Sequence, residues 1–459
     1  MNLARSLLDA AERHPEAEAV VDGDARLTYA ELLNRAQCLA GGLGVEPGDR
    51  VAAVVKCRRE SVELYWACQW VGATFVPLSH RVSQADLTYC REDSGAKAWF
   101  EVDAVLEPLL GAQHGGALDR DEREESLMLY TSGTTGRPKG VPRSHRADRA
   151  GGLSQALQHG YRFGDRTLGV MPLYHTMGMH SLLAMSLIGG CYVCQPEWDA
   201  EAALALIERA RITSLYLAPT LFHDLVWHPR RDDYDLSSVE TLSYAGAAMT
   251  SALVERCVET FRPRLFVNHY GSTEIYTFSV HRDQAAKPGC AGRASVNARL
   301  RLGENDEILC HMSSDEAFAG YWNRPDADAK AIRDGWYHTG DVGRLDEDGD
   351  LWVVGRVDDM IVSGGENIHP LEIEDVLAGH PAVREVAVVG ARDDRLGHRV
   401  VAVVVTDGEV SAEELDAFCL ASETLARFKR PREYRFVDTL PKSPSGKILR
   451  RMLRDEATT

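Results

Sequence analysis

The chain has 459 residues, too many for one ordinary hydrophobic core, so two or three domains are expected. Its 44% hydrophobic and 26% charged residues are those of a soluble globular protein, and no run of about 18 apolar residues is present to predict a membrane span. The formal net charge of −18 argues against general nucleic-acid binding, so an anionic ligand needs locally clustered Arg and Lys. The first residues, "MNLARSLLDAAERHPEAEAVV", carry acidic side chains and no apolar signal-peptide core. The cytoplasm is the expected compartment.

In chain order, "LTYAELLNRAQCLAGGL" has helical periodicity, "RVAAVVKC" is a short β-branched run, and "SVELYWACQWVGATFVPL" reads as a helix running into a strand. This rhythm predicts parallel sheets covered by helices. Further strand candidates are "TLGVMPL", "GGCYVCQ", "ITSLYLAP", "TLSYAG" and "RLFVNHYG". Most end in small, polar or aromatic residues, where open α/β sheets place ligands. Cys191 and Cys194 have metal-like spacing, but a lone C-x-x-C in an apolar run reads as buried strand. "GRLDEDGDLWVVG" predicts a hairpin with Asp348-Gly349 in its turn. After it the chain reads helix, strand, turn, strand, then a segment of helical patterning with a basic tail. The fold class expected is α/β: a large N-terminal domain (1–357) of parallel and mixed sheets flanked by helices, and a small α+β C-terminal domain (358–459).

The stretch "YTSGTTGRPKG" (130–140) holds the most chemistry. Gly133, Gly136 and Gly140 do not meet Walker A spacing, and Lys139 is followed by glycine. A kinase loop fails too, since no H-R-D or D-F-G follows. Such a loop can be a simple flexible turn. Its hydroxyls (Ser132, Thr134, Thr135), its glycines and the charge of Lys139 favour a polyphosphate clamp instead.

With four further motifs in order, "YGSTE", "YHTGD", "GRVDDMIVSGGENIHPLEIE" and "PKSPSGKILR", the chain resembles the acyl-adenylate-forming enzymes over nearly its whole length. "MPLYH", "RVDDMIVSGGENIHP" and "FKRP" are most similar to the 4-chlorobenzoate-CoA and benzoate-CoA ligase branch. The resemblance implies that a carboxylic acid attacks the α-phosphate of Mg2+-ATP, giving acyl-AMP and pyrophosphate, and that coenzyme A then displaces AMP. Catalysis would be positioning and charge neutralisation.

By that resemblance Thr131 to Lys139 grip the β- and γ-phosphates, and Glu274 is the Mg2+ ligand. Gly271, Ser272 and Thr273 line the α-phosphate turn; Gly246, Ala247 and Tyr270 line the adenine; Asp341 takes the ribose hydroxyls, with Arg356 beside it. Lys447 would bridge the acid and the α-phosphate from a swinging tail domain that turns about Asp358 as a mobile lid. Lys447, Glu274, His175 and Thr131 form the expected catalytic set. Coenzyme A is expected at Arg81, Gly364, Gly365, Phe428, Arg430 and Arg432, although Leu396 stands where the ligase has an aromatic.

The acid pocket is expected at His175, Met177, Tyr216, Ala245, His269, Gly271, Tyr276 and Thr277. Its aromatic and polar members suit a small aromatic or heteroaromatic acid bearing a polar group. The lack of an Asp near His175 disfavours amino acids. The chain is trimmed between Phe100 and Leu127 and around "RLGENDEILCHM" without loss of a catalytic motif. A free-standing aryl-CoA ligase, monomer or homodimer, is expected; the alternative is an adenylation enzyme that loads a phosphopantetheinyl carrier protein.

Overall fold

The computed structural model describes residues 2–101, 106–116, 119–131, 137–393, 395–443 and 448–458, with side chains to 454. The clamp residues Ser132, Gly133, Thr134, Thr135 and Gly136, and the tail Lys447, lie outside the described residues.

The fold is α/β, with three sheets before residue 357 and a fourth after it. In the largest, the strands Cys191–Cys194, Arg166–Gly169, Ser214–Leu217, Thr241–Tyr244 and Leu265–Tyr270 run parallel side by side. Their residues are buried on both faces, as in a sheet covered by helices on each side. All five predicted strands from this region are present, two to four residues shorter than the apolar runs. Each run ends where the backbone turns toward a ligand edge.

A second sheet carries Ala98–Phe100, Arg50–Val55, Thr74–Ser79 and Glu125–Thr131 in parallel, closed by the antiparallel Lys139–Ser144. The predicted helices of this region are Tyr29–Gly42 and Arg59–Val71. Thr28 and Glu31 form a capping box on the first, and Gly72, at φ 79°, ends the second.

Cys191 and Cys194 are both buried, and they belong to different hydrophobic clusters on opposite sides of their strand. That is the strand's alternation at work, and it separates the two thiols. Burial pushes the Cys191 thiol up to about 12, so neither geometry nor acidity suits a metal.

The predicted hairpin is formed by Trp336–Leu345 and Leu351–Arg356. Its connection is longer than the two residues foreseen: Leu345 pairs with Leu351, and Asp346 caps the loop by accepting from the N–H groups of Asp348 and Asp350.

Beyond Arg356 the chain builds its own core. Val383–Asp393 and Gly397–Thr406 pair antiparallel, and alternate side chains face two clusters. Val386, Val388, Val400, Ala402 and Val404 pack under the helices Pro370–Ala378 and Ala412–Ala421. Val389, Ala391, Val401, Val403 and Val405 pack with Leu440 and Leu453 on the other face. Within "REYRF" the segment Glu433–Phe436 is a strand parallel to Gly397–Thr406, where helical patterning was expected. Pairing with a sheet edge overrides local preference there. No helix among the described residues is long and apolar enough to cross a membrane.

Candidate active site

The parallel strands of the largest sheet deliver side chains at their carboxyl ends, the edge where open α/β sheets bind ligands. Tyr216, Ala245, His269 and Tyr270 stand at or just past strand ends. His175 precedes the helix Thr176–Ile188 as its N-cap residue. Gly246 has φ 84°, and a Cβ there would stand 3.8 Å from the Met177 Sδ, so these predicted positions adjoin one another. From the second sheet, Thr131 pairs with Lys139 across the base of the clamp.

Lys139 reaches Glu274 through Tyr321. Its Nζ lies 3.8 Å from the centre of the Tyr321 ring, and the Tyr321 hydroxyl donates to Glu274 Oε1 at 2.6 Å. Burial lowers the Lys139 pKa, opposed by the negative charge of Glu274. Glu274 is itself 7% exposed, and its other oxygen has no hydrogen-bond partner among the described residues. A buried carboxylate beside a lysine could hold a hard cation carried by an anionic substrate.

The "YGSTE" turn is held from behind. A Cβ on Gly271 would stand 1.7 Å from the Tyr276 carbonyl, so glycine is demanded there. Ser272 Oγ accepts from the N–H groups of Glu274 and Ile275. The Thr273 carbonyl accepts from Arg143 Nη1 at 2.8 Å. Arg143 is fully buried and donates from Nε to Asp148 Oδ1 at 2.5 Å, with His180 Nε2 at 3.5 Å from the same oxygen. Burial alone would raise the Asp148 pKa; Arg143 and His180 instead hold it down at about 2.

Asp341 lies on the long strand of the third sheet. The Tyr270 hydroxyl donates to its Oδ2 at 2.6 Å, and Arg356 Nη1 stands 2.9 Å from its Oδ1. Burial, then the charge of Asp341, pushes the Tyr270 hydroxyl far up, so it stays a donor. Gly340, at φ 70°, lets the strand approach Arg356, whose Nη2 would be 2.9 Å from an added Cβ. Three predicted nucleotide residues thus meet at one place. Gly246 and Ala247 are exposed beside them.

Of the residues expected to form the acid pocket, Tyr216, His269, Tyr276 and Thr277 are buried, and the first three are joined to one another. His269 Nε2 is 3.2 Å from the Tyr276 carbonyl, and the Tyr276 and Tyr216 hydroxyls are 3.3 Å apart. Tyr276 stacks on His180 at 3.7 Å. The Thr277 hydroxyl, fully buried, makes no hydrogen bond among the described residues.

The residues expected to meet coenzyme A are spread over the surface. A cavity of about 230 Å3 brings Arg81 together with Lys56, His80, Tyr174 and Asp224, and with Lys442 and Ser443 of the C-terminal tail. Phe428 is 45% exposed, and Arg432 is exposed. Arg430 donates to Asp416 at 2.7 Å. Gly364 and Gly365 form an exposed turn with φ of 61° and 89°, and Leu396 packs 3.4 Å from where a Gly364 Cβ would be. None of Gly364, Gly365, Phe428, Arg430 and Arg432 lines the cavity that holds Arg81. Asp358 is exposed, and its carbonyl accepts from Arg454.

Sequence reasoning missed Tyr321, Arg143, Asp148 and His180. Tyr321 lies 47 residues from Glu274, and nothing in "FAGYWNRP" marks it as a partner. Arg143 reads as a basic residue at a loop end. Only its complete burial shows that it braces the turn.

The AMP-binding enzyme family matches residues 7–309, and the AMP-binding enzyme C-terminal domain matches 372–447. Feruloyl-CoA synthase of Amycolatopsis sp is 36% identical, with 97% of this chain and 96% of that protein covered. 4-Chlorobenzoate–CoA ligase of Arthrobacter sp is 34% identical, over 97% of this chain and 93% of that one. Among solved structures, an anthranilate CoA ligase in complex with anthranoyl-AMP superposes with a TM-score of 0.94 at 25% identity, covering 100% of this chain and 97% of its own. The o-succinylbenzoate CoA synthetase of Bacillus subtilis, with its acyl-adenylate, gives 0.87 at 29% identity and 98% coverage of both chains. With matches of this length, the chain belongs to the AMP-binding enzyme family.

Proposed function

We propose that the protein is an ATP-dependent acid–thiol ligase that activates a small aromatic or heteroaromatic acid. The acid's carboxylate oxygen bonds to the α-phosphorus of ATP, and the bond to the bridging oxygen breaks, releasing pyrophosphate. The thiol of coenzyme A then bonds to the acyl carbon as AMP leaves. Carboxylates are poor electrophiles, and the mixed anhydride supplies the leaving group they lack.

The observation that carries this reading is that the single segment Tyr270–Glu274 meets Asp341 at one end, through the Tyr270 hydroxyl, and Tyr321 with Lys139 at the other, through Glu274. Glu274 fits Mg2+ bound with ATP, which would neutralise the phosphate charge. Lys139 and Thr131 stand at the base of the clamp that would hold the pyrophosphate end. Asp341 would accept from the ribose hydroxyls, with Tyr270 keeping its carboxylate oriented. His175, Met177, Tyr216, Ala245, His269, Tyr276 and Thr277 would enclose the acid.

The N-terminal unit, 1–357, would carry both pockets. The C-terminal unit, 358–459, would bring Lys447 to the acid and the α-phosphate, then turn about Asp358 to present Gly364, Gly365, Phe428 and Arg432 to the thiol. Lys442 and Ser443, which flank the segment containing Lys447, line a cavity with Arg81 and Tyr174 of the N-terminal unit. That placement supports the tail's access to the site.

A pyrophosphate-release assay with benzoate, hydroxybenzoates, aminobenzoates, furoate, malonate and octanoate tests the acid class. Preference for an aromatic acid is expected, and preference for octanoate overturns it. Supplying coenzyme A or a phosphopantetheinyl carrier protein to the adenylated enzyme tests the acceptor, with coenzyme A expected.

A further inference from the structure

Behind the acid pocket six side chains form one chain of hydrogen bonds that leaves the Tyr276 carbonyl and returns to the Tyr276 hydroxyl. His269 Nε2 is 3.2 Å from that carbonyl, and His269 Nδ1 is 3.0 Å from His159 Nε2. His159 Nδ1 is 3.3 Å from the Tyr161 hydroxyl, which is 3.4 Å from Gln155 Nε2. Gln155 Oε1 is 2.6 Å from the Tyr276 hydroxyl, and Tyr216 follows at 3.3 Å. All six are buried, none more than 9% exposed.

The sense of the chain is set by its first member. A backbone carbonyl only accepts, so His269 must carry its proton on Nε2. Its Nδ1 then accepts from His159 Nε2–H, and His159 Nδ1 accepts from Tyr161. The Tyr161 oxygen accepts from the Gln155 amide, whose oxygen accepts from Tyr276. Reversing the Gln155 amide would propagate back and leave two acceptors facing each other at the Tyr276 carbonyl. Burial lowers both imidazole pKa values, that of His269 to about 4, so both rings are neutral, as this chain requires. Tyr216 is the open end: with the Tyr276 proton directed at Gln155, its hydroxyl meets among the described residues the Tyr276 oxygen alone, at the long distance of 3.3 Å.

We propose that His159 and Gln155 are positioning residues for the acid pocket: their hydrogen-bond chain fixes one tautomer of His269 and one hydroxyl direction of Tyr276, and leaves Tyr216 to recognise a polar substituent on the acid. The proposal rests on the assignment of Tyr216, His269 and Tyr276 to that pocket. Met177, unbranched and packed in the same cluster, is the side chain that yields volume to a ring.

The test measures kcat and KM for pyrophosphate release with benzoate and with hydroxy- and aminobenzoates, using the full chain. Wild type should favour the best polar-substituted acid over benzoate by about tenfold, the worth of one good hydrogen bond. Tyr216→Phe should bring that ratio close to one, and Gln155→Leu and His159→Phe should erode it mainly through KM. 15N NMR of the wild-type imidazoles should show Nε2–H on both His159 and His269, which holds the proposal to account even where a variant fails to fold. A ratio unchanged in Tyr216→Phe, or an Nδ1–H tautomer on His269, overturns the proposal alone. A wild type that activates no aromatic acid overturns the pocket assignment and the proposal with it.

Discussion

Around Glu274 and Asp341 the side chains are buried or half-buried and bonded in pairs, whereas Phe428, Arg432 and the Gly364–Gly365 turn stand on the surface of the C-terminal unit. The first region spends burial and ion pairing to hold a turn still before any nucleotide arrives. The second carries its groups on a separate core and touches the first through few contacts, such as Asp375 accepting from the Ser251 N–H at 3.0 Å. A site that stabilises developing charge gains from preorganisation, while one that must act only in the second half-reaction has to stay outside until its unit turns.

The contrast breaks most sharply at Arg143. Arg143→Met removes the charged partner of Asp148 and leaves the buried carboxylate to Ser126 and His180 alone, which should cost about 3–5 kcal/mol in chemical denaturation. Equal stability of the variant would mean that the turn is not braced from behind. In the C-terminal unit, Lys447→Ala should slow adenylation by about 10^2–10^3-fold, as loss of one transition-state charge contact does, while hydrolysis and thiolysis of supplied acyl-AMP change far less. A uniform loss in both half-reactions would argue against a swinging tail.

The pH dependence of stability is a further test of the buried side. Burial holds His145 and His269 at about 4 and His159 well below its ordinary value. Between about 4 and 6.5 the unfolded chain therefore binds more protons than the folded one. Stability is full above the unfolded value and is lost as pH falls through that window, by roughly 3 kcal/mol for each of His145 and His269, with His159 acting in the same direction. Denaturation midpoints flat from pH 7 to 4.5 would contradict the burial.

Smaller effects belong to the surface side. Phe428→Ala and Arg432→Ala should each raise KM for coenzyme A about tenfold, with the thiol-dependent step slowed in preference to pyrophosphate release. Asp375→Ala should shift stability by less than about 1 kcal/mol, because its contact is exposed. Stopped-flow separation of the half-reactions reads the first, and thermal unfolding reads the second.

Much of this was legible in the chain itself. Strand runs such as "TLSYAG" announce parallel strands buried on both faces, and the order of five motifs leads one to expect Glu274, Asp341 and Lys139 in one site. Glycine at 271 and 340 is also readable, since a tight backbone approach admits no side chain. What was not legible is which distant groups brace them. "REYRF" looks helical until a sheet edge claims it, and "GRLDEDGD" conceals the loop that Asp346 caps.

The sequence by itself determined the family, the chemistry and the residue types that meet the phosphates, because those depend on local order and on charge. Only the tertiary structure decided that Tyr321 donates to Glu274, that Arg143 braces the "YGSTE" turn, and that Tyr216, His269 and Tyr276 share one chain of hydrogen bonds. Those choices depend on which side chains are deprived of water together, and burial is a property of the whole fold rather than of any segment.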